Sequence, residues 1–154
     1  MTKPILNKVV TSSTKTSRPS TDGLQRAWYV VDASKAPLGR ISTIVANLLT
    51  GKNRADYAAD TDMGAVVVVI NSGKTVLTGK KPQFKTYFRH SRRTGSLKSR
   101  SFPEVMKLDP TRPVYFAVKR MLPKNRHNDN WTNNRLRIFS GEPVGITQQL
   151  IPAN

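Results

Sequence analysis

At its centre the chain reads Val66-Val67-Val68-Val69-Ile70, five consecutive β-branched residues with no polar residue among them. Residues of this type favour the extended backbone of a strand. A strand with one wet face alternates apolar and polar residues, whereas an unbroken apolar run is expected when both faces are covered, as in a parallel sheet. The stretch therefore predicts a buried strand at the centre of an α/β domain.

Upstream of this strand the sequence predicts a second strand and a helix. A short β-rich run spans residues 28–31, and turn-forming residues occupy 32–39. Apolar residues then recur with helical spacing until Gly51, at Ile41, Ile44, Val45, Leu48 and Leu49. Strand, helix and strand in this order favour a parallel pair joined by a right-handed crossover.

The downstream half predicts shorter elements. Residues 71–79 are punctuated by glycine and suit a short helix or turn, and residues 84–89 suit an extended segment. Residues 135–139 alternate basic and apolar side chains, a pattern typical of an edge strand.

Two helices are predicted between those segments. Ser101 and Glu104 have the spacing of a capping box, which predicts a short helix ending near residues 109–110. Thr111 is a plausible cap for a second helix, which should end before Pro123. Its apolar stripe predicts core positions at Val114, Ala117, Val118, Met121 and Leu122.

These patterns predict one compact three-layer α/β domain in residues 27–154, with a small, mostly parallel sheet between helices and an extended C-terminal segment. Residues 1–26 are rich in Ser, Thr and Lys and predict a basic tail, disordered or extended. An organellar transit peptide remains an alternative for this tail. The longest apolar run, residues 65–70, is far below the roughly 20 residues that span a bilayer, so we expect a soluble protein without a membrane partner.

The charge is large and unevenly distributed. The formal net charge is +17, of which residues 1–26 carry +4, residues 27–73 carry none and residues 74–154 carry +13. Such an excess calls for a polyanionic partner, because self-repulsion disfavours the compact free protein. Residues 89–100 contain five cations and no acid, and arginine can fork onto two phosphate oxygens. We therefore expect an RNA-contacting loop there.

The candidate RNA-binding residues are the cations of this loop, those preceding it, those at the end of the second predicted helix and those of the edge strand. They are Lys80, Lys81, Lys85, Arg89, His90, Arg92, Arg93, Lys98, Arg100, Lys119, Arg120, Lys124, Arg126, Arg135 and Arg137.

Catalytic, metal and cofactor chemistry find no support in the sequence. Residues 73–75 read Gly-Lys-Thr, but position 68, where a phosphate-binding loop needs glycine, is Val68. The chain has no cysteine, and its two histidines, His90 and His127, are far apart. We therefore expect no enzyme, no metal, no cofactor and no small-molecule substrate. The acids Asp56, Asp60 and Asp62 are expected to cap loops or to pair with Lys52 and Arg54.

Several stretches, in order and spacing from Trp28 to about Gln149, resemble the bacterial-type large-subunit ribosomal protein thirteen, the universal L-thirteen family. Each stretch alone is weakly diagnostic, and together they cover about four fifths of the chain. They are Trp28-Tyr29-Val30-Val31-Asp32-Ala33, Leu38-Gly39-Arg40, Val45-Ala46, Leu48-Leu49-Thr50-Gly51-Lys52, Val68-Val69-Ile70-Asn71, Thr78-Gly79-Lys80-Lys81 and Ala117-Val118-Lys119-Arg120-Met121-Leu122-Pro123-Lys124.

This resemblance implies a cytoplasmic structural constituent of the large ribosomal subunit that binds ribosomal RNA early in assembly and contacts neighbouring ribosomal proteins. An organellar ribosome is a minor alternative. A free regulatory protein that binds messenger RNA and represses translation is the alternative function.

The sequence departs from the family pattern in three places. Residues 92–96 replace a Gly-rich stretch, residues 142–149 replace a His-containing segment, and residues 127–131 replace a Gly-Arg pair. Trp131, in the last of these, could stack on a base or fill a gap in the core.

Overall fold

The structure is a computed structural model that describes residues 19–21, 24–143, 145–146 and 148–153. Most of the predicted basic tail, residues 1–18 and 22–23, lies outside the described residues.

The predicted strand, helix and strand are confirmed. Strand β1 is Trp28–Asp32, helix α1 is Leu38–Thr50 and strand β2 is Val66–Ile70. The two strands run parallel, with Trp28 opposite Val66 and Asp32 opposite Ile70. Helix α1 ends at Gly51, which has a φ of +81° and donates its N–H to the Asn47 and Leu48 carbonyls. A Cβ at this position would lie 2.9 Å from the Met63 carbonyl carbon, so both the backbone angle and the close approach require glycine.

Two further strands complete a parallel sheet of four. Strand β5, Leu136–Ile138, pairs with β2, and strand β6, Ile151–Pro152, pairs with β1, so the strand order is β5-β2-β1-β6. The predicted edge strand is therefore confirmed. Strand β6 was not predicted, because a two-residue strand has no periodicity that a sequence pattern could reveal.

The remaining elements lie between β2 and β5. A 3-10 turn spans Ser72–Lys74, and the helical turn α2 spans Lys81–Phe84. Strands β3, Thr86–Arg89, and β4, Lys98–Ser101, form an antiparallel hairpin. The following elements are helix α3 at Phe102–Leu108, helix α4 at Arg112–Met121, the helical turn α5 at His127–Asn130 and a π-helical turn at Trp131–Arg135.

The two predicted downstream helices are confirmed, with one correction. The Ser101 N–H donates to Glu104 Oε2 at 3.1 Å, which is one half of the capping box that begins α3. In α4 the stripe residues Val114 and Val118 are fully buried, as predicted. Met121 was predicted to lie in the core but is 46% exposed. The helix ends at Met121, and Leu122 adopts an extended conformation and enters the core instead.

The main core lies on one face of the sheet. Strand alternation and register place Val31, Val67, Val69 and Leu136 on the same face, where they pack with the apolar stripes of α1 and α4. Val68 points to the opposite face and is also fully buried, which confirms that β2 is covered on both sides. A smaller hydrophobic cluster of Tyr87, Phe102 and Val105 lies under the hairpin, with Leu77, Met106 and Phe116 packed against it. We call this the hairpin cluster.

A buried ion pair joins the loop before β2 to the turn before β5. The Arg135 guanidinium donates to both carboxylate oxygens of Asp62, and Trp131 Nε1–H donates to Asp62 Oδ1 at 2.8 Å. Arg26 lies beside this pair, with its Nη1 3.8 Å from Asp62 Oδ1. Arg54 pairs with Asp56, as the sequence suggested, with Nε 2.8 Å from Oδ1. Asp62 instead pairs with a residue 73 positions away, because the fold brings Arg135 to it.

This network settles the role of Trp131, which is 4% exposed and belongs to the main core. It also perturbs the acid. Burial alone would raise the pKa of Asp62, but the hydrogen bonds from Arg135 and Trp131 and the charges of Arg135 and Arg26 outweigh it and lower the pKa to about 2. The carboxylate therefore remains ionised in the folded protein well below its ordinary pKa of 3.8.

We expect Asp62→Asn to lower the free energy of unfolding at pH 7 by about 3 kcal/mol, because it leaves the buried Arg135 guanidinium without its counter-charge. The stabilisation by Asp62 is fully present above about pH 4 and is lost as the pH falls towards about 2, since its folded-state pKa is lowered. Urea unfolding between pH 2 and pH 7 measures both effects. Asp56→Asn, in an exposed ion pair, is the matched control and should leave the free energy of unfolding nearly unchanged. Equal losses in the two variants would contradict a special role for Asp62.

Candidate nucleic-acid interface

The cations of residues 89–100 lie on the hairpin β3–β4 and on the loop that joins its strands. Its register pairs Arg89 with Lys98 and Tyr87 with Arg100. Because alternate residues of a strand share a face, these four side chains belong to the same face of the hairpin. Tyr87 anchors that face in the hairpin cluster, and the three cations extend from it into solvent. The sequence predicted a basic loop over residues 89–100; the structure shows that both its ends belong to strands.

The loop that joins the strands is held by its own side chains. The Arg92 backbone N–H donates to His90 Nδ1 at 2.9 Å, and the Ser91 N–H donates to Ser96 Oγ at 3.2 Å. Arg92 has a φ of +65° and Gly95 a φ of +73°, so the chain reverses through left-handed backbone at both positions. His90 thus shapes the loop, while the side chains of Arg92 and Arg93 are exposed at its surface.

The pairing of Arg89 with Lys98 is unfavourable for the protein alone. Like charges directly opposite each other in an antiparallel pair destabilise the hairpin. No acid lies in either strand or in the loop between them. An anion placed between the two side chains would turn this repulsion into attraction, so the hairpin has the electrostatics of a phosphate-binding surface.

A cavity of about 600 Å³ lies between this face of the hairpin and helices α3 and α4. Its wall combines aromatic and aliphatic side chains with cations and includes no acid among the described residues. The lining residues are Tyr87, Phe88, Arg89, Lys98, Arg100, Val105, Leu108, Arg112, Tyr115 and Phe116. We call this the hairpin cavity.

A second group of candidate cations surrounds α2. Lys80, Lys81 and Lys85 line a shallow depression with Phe84, whose side chain is 73% exposed. Lys85 Nζ lies 5.5 Å from the centroid of the Tyr87 ring, so α2 adjoins the hairpin. Burial lowers the pKa of Lys85, and the positive charges of Arg120 and Lys81 lower it further. The structure therefore brings Arg120, from the end of α4, into the same electrostatic neighbourhood.

The candidate cations at the end of α4 and just after it differ in exposure and in their contacts. Lys119 lies 5.6 Å from the centroid of the Tyr115 ring and 3.9 Å from Asp129, so part of its charge is compensated within the protein. Arg120, Lys124 and Arg126 are exposed. All four remain candidates for contact with a polyanion, with Lys119 the weakest because of this compensation.

The last two candidates, Arg135 just before strand β5 and Arg137 within it, do not belong to the hairpin surface. Arg135 is 7% exposed and forms the buried pair with Asp62, so it has an internal role and we leave it out of the proposed surface. Arg137 lies on the face of the sheet opposite the main core, where its guanidinium carbon is 5.6 Å from the centroid of the Trp28 ring. The sequence suggested that both arginines project to one face of a strand, but Arg135 belongs to the π-helical turn before β5 and is buried, whereas Arg137 is in the strand and exposed.

Sequence reasoning missed Arg112 and the aromatic side chains of the hairpin cavity. Arg112 lines the cavity, and its Nε lies 3.5 Å from Asp109 Oδ2. It stands three and four positions before Tyr115 and Phe116, on one side of α4. Residues 85–89 and 112–116 each place a Tyr-Phe pair within four positions of an arginine, which was the available signal.

Two other classes of site receive no support within the described ranges. No cluster of three or more His, Cys, Asp or Glu side chains suited to a metal ion occurs there. Nor does any helix in that part of the chain have the length and apolar character needed to cross a membrane.

Comparison with known proteins gives consistent results. Residues 26–145 match the family described as Ribosomal protein L13. A relative from Thermotoga petrophila, named large ribosomal subunit protein uL13, is 42% identical over 126 residues, which cover 82% of this chain and 84% of the relative. A relative of the same name from Picosynechococcus is 46% identical over 146 residues and covers 90% of this chain and 96% of its own length.

We expect Lys98→Thr to stabilise the free protein by about 0.5 kcal/mol at low salt, because it removes the repulsion opposite Arg89 and places a good strand former in β4. Thermal unfolding at low ionic strength and at about 1 M salt measures the effect, which should shrink when salt screens the charges. Lys124→Thr, an exposed cation outside the strands, controls for the general reduction of positive charge. Identical stabilisation in both variants would show that the cross-strand repulsion is negligible.

Proposed function

The chain belongs to the ribosomal protein L13 family, and from this premise we propose that it is a structural constituent of the large ribosomal subunit that binds and stabilises large-subunit ribosomal RNA, early in assembly. The observation that carries the proposal is the hairpin β3–β4, where three cations project from one face and no acid balances them. Each relative described above is itself named a large ribosomal subunit protein.

The proposed mechanism is non-enzymatic and divides the work between two regions. The two inner strands of the sheet, β1 and β2, and helix α1 lie in the electrically neutral part of the sequence, residues 27–73, and fix the geometry. The cations of α2, the hairpin and the end of α4 neutralise RNA phosphates and release counterions, which supplies affinity that depends on salt. Contacts of this kind recognise the shape and backbone of folded RNA more than its base sequence.

The proposed contact residues are the predicted candidates that surround α2, belong to the hairpin β3–β4 and its loop, or lie at the end of α4 and just after it. They are Lys80, Lys81, Lys85, Arg89, His90, Arg92, Arg93, Lys98, Arg100, Lys119, Arg120, Lys124 and Arg126. Arg137 is a weaker candidate, because its guanidinium lies against Trp28.

Other parts of the proposal rest on charge or on the relatives. Residues 1–26 are proposed as a basic RNA-contacting tail, on the strength of their net charge of +4, beside a single domain in residues 27–154. Cytoplasmic ribosomes are the proposed location, since the relatives come from bacteria. Neighbouring ribosomal proteins are proposed as further partners. The names of the relatives give no support to the free regulator of messenger RNA.

Sedimentation of a cell lysate through sucrose at high salt tests the proposal. We expect the full-length protein to travel with large ribosomal subunits, because a structural constituent is held by many simultaneous phosphate contacts. Protein that remained at the top of the gradient while the subunits were intact would contradict a structural role.

Replacement of Arg89, Arg92 and Arg93 together by Ala should weaken binding to large-subunit ribosomal RNA and flatten its salt dependence. If the three side chains each contact one phosphate, the slope of log affinity against log salt should fall by about 2 to 3. Filter binding at several salt concentrations measures both quantities. The matched control replaces three exposed cations of the neutral segment, Lys35, Arg40 and Lys52, and should leave the slope unchanged. An unchanged slope in the first variant would remove the hairpin loop from the interface.

A further inference from the structure

We propose that the hairpin cavity holds one unstacked base of the bound RNA, with the phosphate of that nucleotide between Arg89 and Lys98. The inference rests on the proposed function and adds to it a specific site, because phosphate contact alone needs only a charged surface. It assigns the cavity to a single nucleotide that leaves the RNA stack.

The interior of the cavity suits a flat, largely apolar group. The Phe116 ring lies with its centroid 5.8 Å from the Tyr87 ring, at an interplanar angle of 34°, and 5.8 Å from the Tyr115 ring, at 63°. Val105 and Leu108 add aliphatic surface, and the Leu108 side chain is 67% exposed. The volume of about 600 Å³ falls within the usual range of sites for small organic groups. Aromatic side chains are the common platform on which proteins stack extruded bases.

The rim of the cavity suits an anion attached to that group. Arg89 and Lys98 are directly opposed across the hairpin, and Arg100 extends from the same face. Arg112 approaches from α4 but is partly neutralised by Asp109. None of the described residues that line the cavity is acidic, so no carboxylate in its wall balances Arg89, Lys98 and Arg100. A nucleotide combines a flat ring system and an anionic phosphate at a short, fixed separation.

Tyr87 contributes to the wall of the cavity. Its hydroxyl is shielded from solvent and has no hydrogen-bond partner among the described residues. Burial raises the pKa of Tyr87 against the opposing charge of Arg120, so the hydroxyl keeps its proton and can donate. Buried polar groups without a partner are uncommon in folded proteins. Because solvent does not reach the hydroxyl, the ring is the part of Tyr87 that is offered to a group in the cavity.

A protein side chain fits this site less well than a nucleotide. A phenylalanine or leucine from a neighbouring protein would fill the apolar interior but would bring no negative charge to Arg89, Lys98 and Arg100. Those cations would then be partly desolvated without a partner, which is costly. RNA supplies the phosphate with every base.

Ultraviolet cross-linking provides the first test. Full-length protein bound to large-subunit ribosomal RNA is irradiated and digested, and the adducts are identified by mass spectrometry. We expect a single-nucleotide adduct on the peptide that contains Tyr115 and Phe116 or on the one that contains Tyr87. Cross-links confined to peptides outside the cavity would overturn the proposal.

The second test removes only the identified base. The probe is the ribosomal RNA fragment that the wild-type protein protects from nuclease, synthesised with an abasic site at the cross-linked nucleotide. We expect affinity to fall about tenfold, as for the loss of one stacked base, with an unchanged salt slope because the phosphate is retained. Binding as tight as to the intact fragment would overturn the proposal.

A protein variant completes the test. Phe116→Leu keeps an apolar side chain in the hairpin cluster and removes the flat ring, so it should weaken binding to the intact fragment about fivefold and bind the abasic fragment as wild type does. Phe102→Leu is the matched control, since Phe102 belongs to the same cluster but does not line the cavity. This variant should bind the intact fragment as wild type does, and its affinity should fall as much as that of wild type when the fragment carries the abasic site. Circular dichroism verifies that both variants are folded, and the abasic arm requires no variant.

The outcomes separate this proposal from the proposed function. Failure of the wild-type protein to bind ribosomal RNA would remove both. If binding is tight and salt-dependent but neither the abasic site nor Phe116→Leu weakens it, the nucleotide site is overturned and the RNA-binding function stands. The same holds if the two changes weaken binding additively, because they then act at different places. A loss by Phe116→Leu that occurs only when neighbouring ribosomal proteins are present would assign the cavity to a protein segment and overturn the nucleotide site.

Discussion

The ion pair between Asp62 and Arg135 connects parts of the chain that the sheet alone would leave loosely joined. Asp62 precedes the central strand β2, Arg135 precedes the edge strand β5, and Arg26 precedes β1, so one carboxylate is surrounded by charges from the starts of three neighbouring strands. Trp131 donates to the same carboxylate from within the main core. Parallel strands start at one edge of the sheet, and an acid at that edge can hold all three in register. The remaining elements are positioned relative to this fixed sheet.

Strands β1 and β2 and helix α1 come from a segment without net charge, and the excess of cations lies elsewhere in the sequence. The main core takes α1 and the inner strands β1 and β2 from residues 27–73, which have no net charge. The hairpin is supported by the smaller hairpin cluster. Helix α4 joins the two regions, because Val114 and Val118 pack in the main core while Phe116 contacts Tyr87. The hairpin thus has a firm attachment through α4 and carries its repulsive charges away from the main core.

The sequence predicted the elements that have a regular pattern and failed where contacts depend on the tertiary fold. The β-branched run at 66–70, the stripe of α1 and the spacing of Ser101 with Glu104 were sufficient for three elements, because each is a local preference. Strand β4 contains no apolar residue, so only its pairing with β3 reveals it. The pairing of Asp62 with Arg135 and the burial of Trp131 join residues about 70 positions apart and leave no local signal. For the candidate site, the charge pattern located the hairpin but not the cavity, which requires α3 and α4 to pack beside it.

The repulsion within the hairpin links its stability to its function. In the free protein, Arg89 opposite Lys98 costs free energy, and the Tyr87 hydroxyl is buried without a partner. A phosphate between the two cations removes the first of these costs. A ligand that relieves costs present only in the folded state stabilises that state by mass action. The same opposed cations therefore destabilise the free hairpin and favour RNA binding. A substitution that stabilises the free hairpin by removing one of them should weaken its affinity for RNA.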